Sequence, residues 1–142
     1  MDTIVKQWDE SLSFEQKSSG SVLVVEDDQS LRVVLTRILR QIDPNLSIRW
    51  VSSAEEAQTE LKNNHRMVIA DIALEGEMTG LDLWKFCEEK YPGTPVVMMS
   101  GMPIHQFLGE IKPGEITPPY LPKPFYLGEA RQILEWILSI RK

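Results

Sequence analysis

The sequence predicts an α/β domain built on a doubly wound, five-stranded parallel sheet with helices on both faces. Three observations predict it. From Ser21 onward five strand-like segments alternate with five helix-like ones, the pattern of parallel strands joined by right-handed helical crossovers. The run Met67-Val68-Ile69-Ala70 is apolar throughout, as a strand covered on both faces must be. Four of the segments also end in reactive polar groups: Glu26-Asp27-Asp28 after Val22 to Val25, Asp71 after Met67 to Ala70, Ser100 after Val96 to Met99, and Lys123-Pro124 after Tyr120 to Pro122. In an open α/β sheet that carboxyl-terminal edge is where ligands bind.

Taken in order, the first strand is Val22 to Val25. Asp28 can cap a first helix whose Leu31, Val34, Leu35, Ile38 and Ile42 keep 3.6-residue spacing, with Pro44 just beyond its end. A second strand is expected at about Ser47 to Val51. Ser52 with Glu55, or Ser53 with Glu56, can form a capping box for a second helix that buries Ala54, Ala57 and Leu61. After the strand before Asp71, Gly76 and Gly80 bracket a loop, and a third helix runs from about Leu81 to Lys90, stopping before Pro92-Gly93. Beyond Ser100, Ile104 to Ile111 is helix-like, but Pro113-Gly114 and Pro118-Pro119 predict an irregular stretch from Leu108 to Pro119. Pro122 inside the last strand marks that strand as a sheet edge. The final helix, about Tyr126 to Ile140, carries Leu127, Ala130, Ile133, Leu134 and Ile137 on one face, with Trp136 off it as a candidate contact.

The 142 residues suffice for one domain with a real core. Residues 1–20 read as a separate N-terminal extension and 21–142 as the domain. In the extension Ile4, Trp8 and Leu12 recur every four residues, the spacing of a short amphipathic helix that packs on the domain or on a second copy, so a homodimer is one candidate assembly. A net charge of −6 and a pI near 5.0 argue against nucleic acid or an anionic membrane as partner. The single cysteine, Cys87, lies in a helical pattern and reads as core, which suits a reducing cytoplasm. The N-terminus lacks the basic start and apolar stretch of a signal peptide, and no segment reaches membrane-spanning length, so a cytoplasmic location is expected.

Glu26, Asp27 and Asp71 are expected to lie within a few ångströms of one another if the first and third strands are neighbours. Like charges that close destabilise one another. A hard divalent cation resolves the conflict, and Mg²⁺ favours carboxylates, a carbonyl, waters and phosphate oxygens. Lys123 adds a cation that can balance the carboxylates or bind phosphoryl oxygens, and a cis Lys123-Pro124 bond would turn its amine into the site. Asp28 reads as a helix cap. His65 and His105 read as surface residues, and neither is placed to serve Ser100 as a catalytic base.

Four motifs in register then carry a resemblance. Val22-Leu23-Val24-Val25-Glu26-Asp27, Asp71 followed by Gly80-Leu81-Asp82-Leu83, Met98-Met99-Ser100-Gly101, and Tyr120-Leu121-Pro122-Lys123-Pro124-Phe125 resemble the receiver domain of two-component response regulators, in its stand-alone, chemotaxis-regulator-like form. The resemblance covers about Ser21 to Ile140. It implies a flavodoxin-like three-layer α/β/α fold with strand order 2-1-3-4-5. It also implies that Asp71 takes a phosphoryl group from a phosphohistidine, and that Mg²⁺ is held by Glu26, Asp27, Asp71 and the main-chain carbonyl of Ala73. Ser100 and Lys123 would contact the phosphoryl oxygens, and Tyr120 would be the switch residue that turns inward when Ser100 moves. Two departures stand out: no proline follows Leu74, and Leu108 to Pro119 is proline-rich where the family usually has a regular fourth helix on its output face.

The reading is therefore a cytoplasmic, Mg²⁺-dependent phosphoacceptor in a phosphorelay, signalling through a changed protein contact. It expects a histidine kinase or histidine phosphotransfer protein upstream and an unidentified protein downstream. It expects no turnover of an external substrate, and no output domain after Arg141-Lys142. The rivals are an unphosphorylated pseudo-receiver used for docking and an aspartate-nucleophile phosphohydrolase. The second would want another Asp two residues after Asp71, where this chain has Ala73.

Overall fold

The structure, a computed structural model, describes residues 20–74 and 76–139. The five strands are β1 (Ser21–Val25), β2 (Ser47–Val51), β3 (Met67–Asp71), β4 (Val96–Ser100) and β5 (Tyr120–Pro122). They form one all-parallel sheet in the order β2-β1-β3-β4-β5. The helices are α1 (Gln29–Ile42), α2 (Ala54–Glu60, continued by a 3₁₀ turn at Leu61–Asn63), α3 (Gly80–Lys90), α4 (Ile104–Gly109) and α5 (Leu127–Ser139). The Ile4, Trp8 and Leu12 pattern lies outside the described residues.

Strand periodicity divides the core in two. Val22 and Val24, Met67 and Ile69, Val97 and Met99, and Leu121 point to one face, where Leu35, Ile38 and Leu39 of α1 and Ala130, Leu134, Ile137 and Leu138 of α5 cover them. Leu23 and Val25, Val68 and Ala70, and Val96 and Met98 point to the other, under Ala54 and Ala57 of α2, Leu83, Trp84 and Cys87 of α3, and Phe107 of α4. Burial on both faces is what a parallel sheet requires, and it accounts for the uninterrupted apolar run before Asp71. Cys87 is core, its thiol pushed up to about 12 by burial and by the nearby Glu88 charge.

The capping chemistry follows the sequence. Asp28 accepts from the Ser30 hydroxyl and from the Ser30 and Leu31 amides at the start of α1, which holds its carboxyl below the usual range. Ser53 caps α2 by accepting from the Glu56 amide, while Glu56 accepts from the Ser52 amide. Thr79 and Asp82 form a reciprocal capping box on α3. α4 has six residues and ends at Gly109; the chain from Glu110 to Pro119 carries neither helix nor strand, Gly114 takes φ +91°, and Pro118 is buried. β5 is the sheet edge, as Pro122 predicts, and the Lys123-Pro124 bond is cis.

Two expectations, for Leu127 and His65, are corrected, and one core residue is added. Leu127, expected on the buried face of the last helix, is 51% exposed, because α5 begins there and its buried stripe runs through Ala130, Leu134, Ile137 and Leu138 instead. Leu39, not anticipated, is fully buried beside Leu35 and Ile38. His65 is not a surface residue. It lies buried at the sheet edge opposite Asp71, just before β3, with Nδ1 2.8 Å from the Ser21 hydroxyl and Nε2 3.2 Å from the Glu60 carbonyl. The short turn from the 3₁₀ segment into β3 sets the ring between these partners, 8% exposed.

That placement gives a testable pH dependence. Burial pushes the His65 pKa down from its ordinary 6.5, against the raising influence of the Glu60 carbonyl and carboxylate, with Arg49 adding a smaller downward push. The unfolded chain therefore binds the proton first. Stability is complete above pH 6.5 and falls as pH drops through 6.5 toward the lower folded value. Urea unfolding between about pH 5 and 7.5 should show this decline, and His65→Gln, which keeps hydrogen-bonding capacity without titrating, should flatten it. A wild-type curve as flat as the variant's would refute the assignment.

Candidate functional site

The site is assembled by sheet register. β1 and β3 pair with Val25 opposite Ala70, so the next residues along, Glu26 and Asp71, leave the sheet side by side. Both share strand parity with Val24 and Ile69 and emerge on the α1/α5 side. Across β4, Ser100 pairs with Pro122, and the Lys123 amide donates to the Ser100 carbonyl at 2.8 Å, which brings Lys123 to the same rim. The Lys123 ammonium then donates to Glu26 Oε1 at 3.1 Å and to Asp71 Oδ2 at 2.5 Å. Asp71 Oδ1 accepts from the Ala73 amide at 2.9 Å, and Glu26 Oε2 from the Asp28 amide at 3.1 Å. Both carboxylates are thus buried and partnered on each oxygen, as their depth demands.

The electrostatics follow from depth. Glu26 is 2% exposed, and loss of water raises its pKa, with the neighbouring Asp71 charge adding to the rise while the Asp28 amide and Lys123 oppose it. For Lys123 burial works against the ammonium, but the hydrogen bonds to Asp71 and Glu26 outweigh it and the pKa goes up. The lysine is the cation that allows two carboxylates to sit together in a largely dry site.

The expectation of three crowded carboxylates is corrected to two. Asp27 faces solvent at the rim, one residue past Glu26 and with opposite parity, and among the described residues no three acidic, histidine or cysteine side chains converge as a ready-made metal group. Ser100 is buried and its hydroxyl accepts from the Met102 amide at 2.9 Å. Tyr120 is half-buried and stacked on Phe107, ring centroids 4.4 Å apart, and its hydroxyl donates to the carbonyls of Met102 and Ser100. His105 is exposed on α4, as expected.

Three further residues shape the rim. The Gly80 amide donates to the Ile72 carbonyl at 3.1 Å, and a Cβ on Gly80 would lie 2.1 Å from the Asp71 carbonyl oxygen and 2.7 Å from Ile72 Cα. Only glycine lets α3 begin this close to the backbone of Asp71. Glu55 of α2 accepts from the Met78 amide at 2.9 Å and so ties the loop after Asp71 to a neighbouring helix. Arg32 of α1 reaches the Glu26 carbonyl. From the sequence Glu55 was expected only as a capping partner of Ser52, not as a tether for Met78, and Arg32 was passed over. For Arg32 a signal existed: a cation in the first turn of a helix, where the backbone dipole disfavours it.

The comparisons bear on this geometry. Residues 22–135 match the family model described as response regulator receiver domain. The chain belongs to that family. It is 31% identical over 121 residues to the DNA-binding transcriptional regulator NtrC of Escherichia coli K12, an alignment covering 84% of this chain and 25% of that protein. The solution structure of the apo receiver domain of nitrogen regulatory protein C is similar at 31% identity and a TM-score of 0.70, covering 86% of this chain and 96% of that one. A receiver protein from Sinorhizobium medicae WSM419, at 21% identity, shares the fold with a TM-score of 0.72 over 88% of this chain and 98% of its own. The chain spans about a quarter of the length of the curated NtrC relatives it matches. Among the described residues no helix is long and apolar enough to cross a membrane.

Replacing Gly80 by alanine should lower stability by about 2–3 kcal/mol, because the methyl group meets backbone that cannot turn aside. Urea denaturation measures this directly. A loss below about 0.5 kcal/mol, the usual range of an inconsequential substitution, would show that the approach of α3 to Asp71 is not constrained.

Proposed function

We propose that this receiver domain accepts a phosphoryl group on Asp71 from the phosphohistidine of a histidine kinase or phosphotransfer protein, and signals by changing a protein contact. The observation that carries the reading is the convergence of the Lys123 ammonium on the buried carboxylates of Asp71 and Glu26 in a chain of this family. Asp71 Oδ2 attacks phosphorus, the bond from phosphorus to the imidazole nitrogen breaks, and the electron pair returns to that nitrogen, leaving an acyl phosphate on the protein. A carboxylate is a weak nucleophile, so position and charge neutralisation carry the rate. The Ala73 amide fixes the carboxylate through Oδ1, and Lys123 can transfer its ammonium contact from Oδ2 to the incoming oxygens.

The rim donors would suit a small divalent ion once Asp27 turns in from solvent to join Glu26 and Asp71. They are all hard oxygens, the class that Mg²⁺ takes: the carboxylates of Glu26 and Asp71, which already share one cation, the solvent-facing carboxylate of Asp27, and, as the family resemblance implies, the main-chain carbonyl of Ala73. Bound there, Mg²⁺ supplies further charge neutralisation for the phosphoryl oxygens. The domain turns over no external substrate in this reading; it gains the group and loses it to water.

The readout runs through β4 and β5. A turn of the Ser100 hydroxyl toward a phosphoryl oxygen would disturb its bond from the Met102 amide, and Met102 also holds the Tyr120 hydroxyl through its carbonyl. The sequence reading has Tyr120 turning inward only after modification; in this structure the ring already stacks on Phe107. The conformational signal is therefore a repacking of the Tyr120 and Phe107 pair over the short α4, a local charge event read by a bistable side chain.

Incubation with acetyl phosphate or a phosphorylated histidine donor plus Mg²⁺ should add one phosphoryl group, seen by intact-protein mass spectrometry. Asp71→Asn, or chelation of the metal, should abolish the gain. Lys123→Ala should slow it by about 100-fold or more, the usual effect of removing one aimed charge contact. Wild-type protein that stayed unmodified, or Asp71→Asn modified as fully as wild type, would overturn the reading in favour of a docking module.

A further inference from the structure

We propose that Arg32 is a positioning residue for the acidic loop after β1, and that it sets how tightly Glu26 and Asp27 take a divalent cation. The inference rests on the functional reading above and goes beyond it, since Arg32 belongs to none of the motifs that carried the resemblance.

Arg32 joins three parts of the fold. Its Nε donates to the Glu26 carbonyl at 2.9 Å, a terminal nitrogen donates to the Ser52 hydroxyl at 3.3 Å, and its guanidinium carbon stands 5.3 Å from the centre of the Trp50 ring. Trp50 lies on β2, packed against the core, and Ser52 lies just beyond that strand's end. A planar fork serves a carbonyl, a hydroxyl and a ring face together in a way an ammonium cannot.

The consequence falls on Asp27. The Glu26 amide donates to the Val51 carbonyl at 2.9 Å. The peptide between Glu26 and Asp27 is held at its carbonyl by Arg32, and the peptide between Asp27 and Asp28 at its amide by Glu26 Oε2. Asp27 is therefore the one residue between two clamped peptides. Its side chain faces solvent, so the backbone on either side sets the direction of its carboxylate. Helix stability alone does not select an arginine here, because the first turn of α1 is the positive end of the helix dipole.

The sign of the effect separates positioning from charge. Arg32 is a cation near a cation site, so by Coulomb's law alone its removal should tighten metal binding. Loss of an outer group that orients ligands weakens metal binding roughly 10- to 100-fold. Isothermal titration of the chain with MgCl₂ should show Arg32→Met binding about tenfold more weakly than wild type, with Arg32→Lys and Ser52→Ala between the two and Asp27→Ala showing no binding. Circular dichroism melts in chelator establish that each variant is folded at the titration temperature. Should Arg32→Met fail to fold, Arg32→Lys and Ser52→Ala decide, each expected weaker than wild type. Equal or tighter binding by the folded Arg32 variants, with Asp27→Ala silent, overturns this inference and leaves the phosphoacceptor reading intact. Wild-type protein that takes up no Mg²⁺ overturns the metal assignment, and the proposed role of Arg32 falls with it.

Discussion

Two carboxylates, Glu26 and Asp71, lie buried beside each other with one lysine ammonium between them. Without Lys123 the parallel pairing of β1 and β3 would leave like charges at adjacent strand ends in a site that excludes most water. With it, the strands run to their full length. The charged group that reconciles them comes from the far edge of the sheet, 97 residues from Glu26. The short edge strand β5 has few hydrogen bonds of its own to offer, and its importance lies in delivering that amine: it pairs with β4 only through Tyr120, Leu121 and Pro122 before Lys123 turns to the rim.

In the proposed function, chemistry and readout fall on opposite sides of one sheet. Glu26 and Asp71 follow the parity of the α1/α5 face, whereas Ser100 follows Val96 and Met98 toward the face covered by α3 and α4. A hydroxyl that can be drawn across the sheet edge therefore links a charge event on one side to packing on the other. The packing there is open to change. α4 has six residues, only its Phe107 is fully buried, and the following ten residues have no regular hydrogen-bonding pattern to hold them. Ile104, Leu108 and Ile116 are exposed around it.

Glycine and side-chain tethers supply the rigidity that the rim loops lack. Gly80 lets the first turn of α3 rest against the Asp71 and Ile72 backbone, Glu55 holds Met78, and Arg32 holds Glu26. Each tether comes from an element that contributes nothing to the reacting groups. A site of this kind is precise because the backbone around it is over-determined.

Much of this was legible in the residues alone. Parallel strands buried on both faces must be apolar throughout, helices with one covered face must repeat at 3.6 residues, and strand ends must carry the polar groups, so the five strands, the five helices, the Asp28 cap and the edge position of β5 followed from local chemistry. Glu26, Asp71, Ser100 and Lys123 were identifiable because each ends a strand. What sequence spacing could not supply was depth and register. Only the paired strands decide that Glu26 meets Asp71 while Asp27, one residue on, faces solvent, since a single step along the chain reverses the side-chain direction. Only the packed turn before β3 buries His65, and only the start of α5 leaves Leu127 outside. Arg32 left a sign in its place at the positive end of a helix and Glu55 in its place as a candidate cap, but the Glu26 carbonyl and the Met78 amide that they hold are backbone groups, which leave no mark on the pattern of side chains.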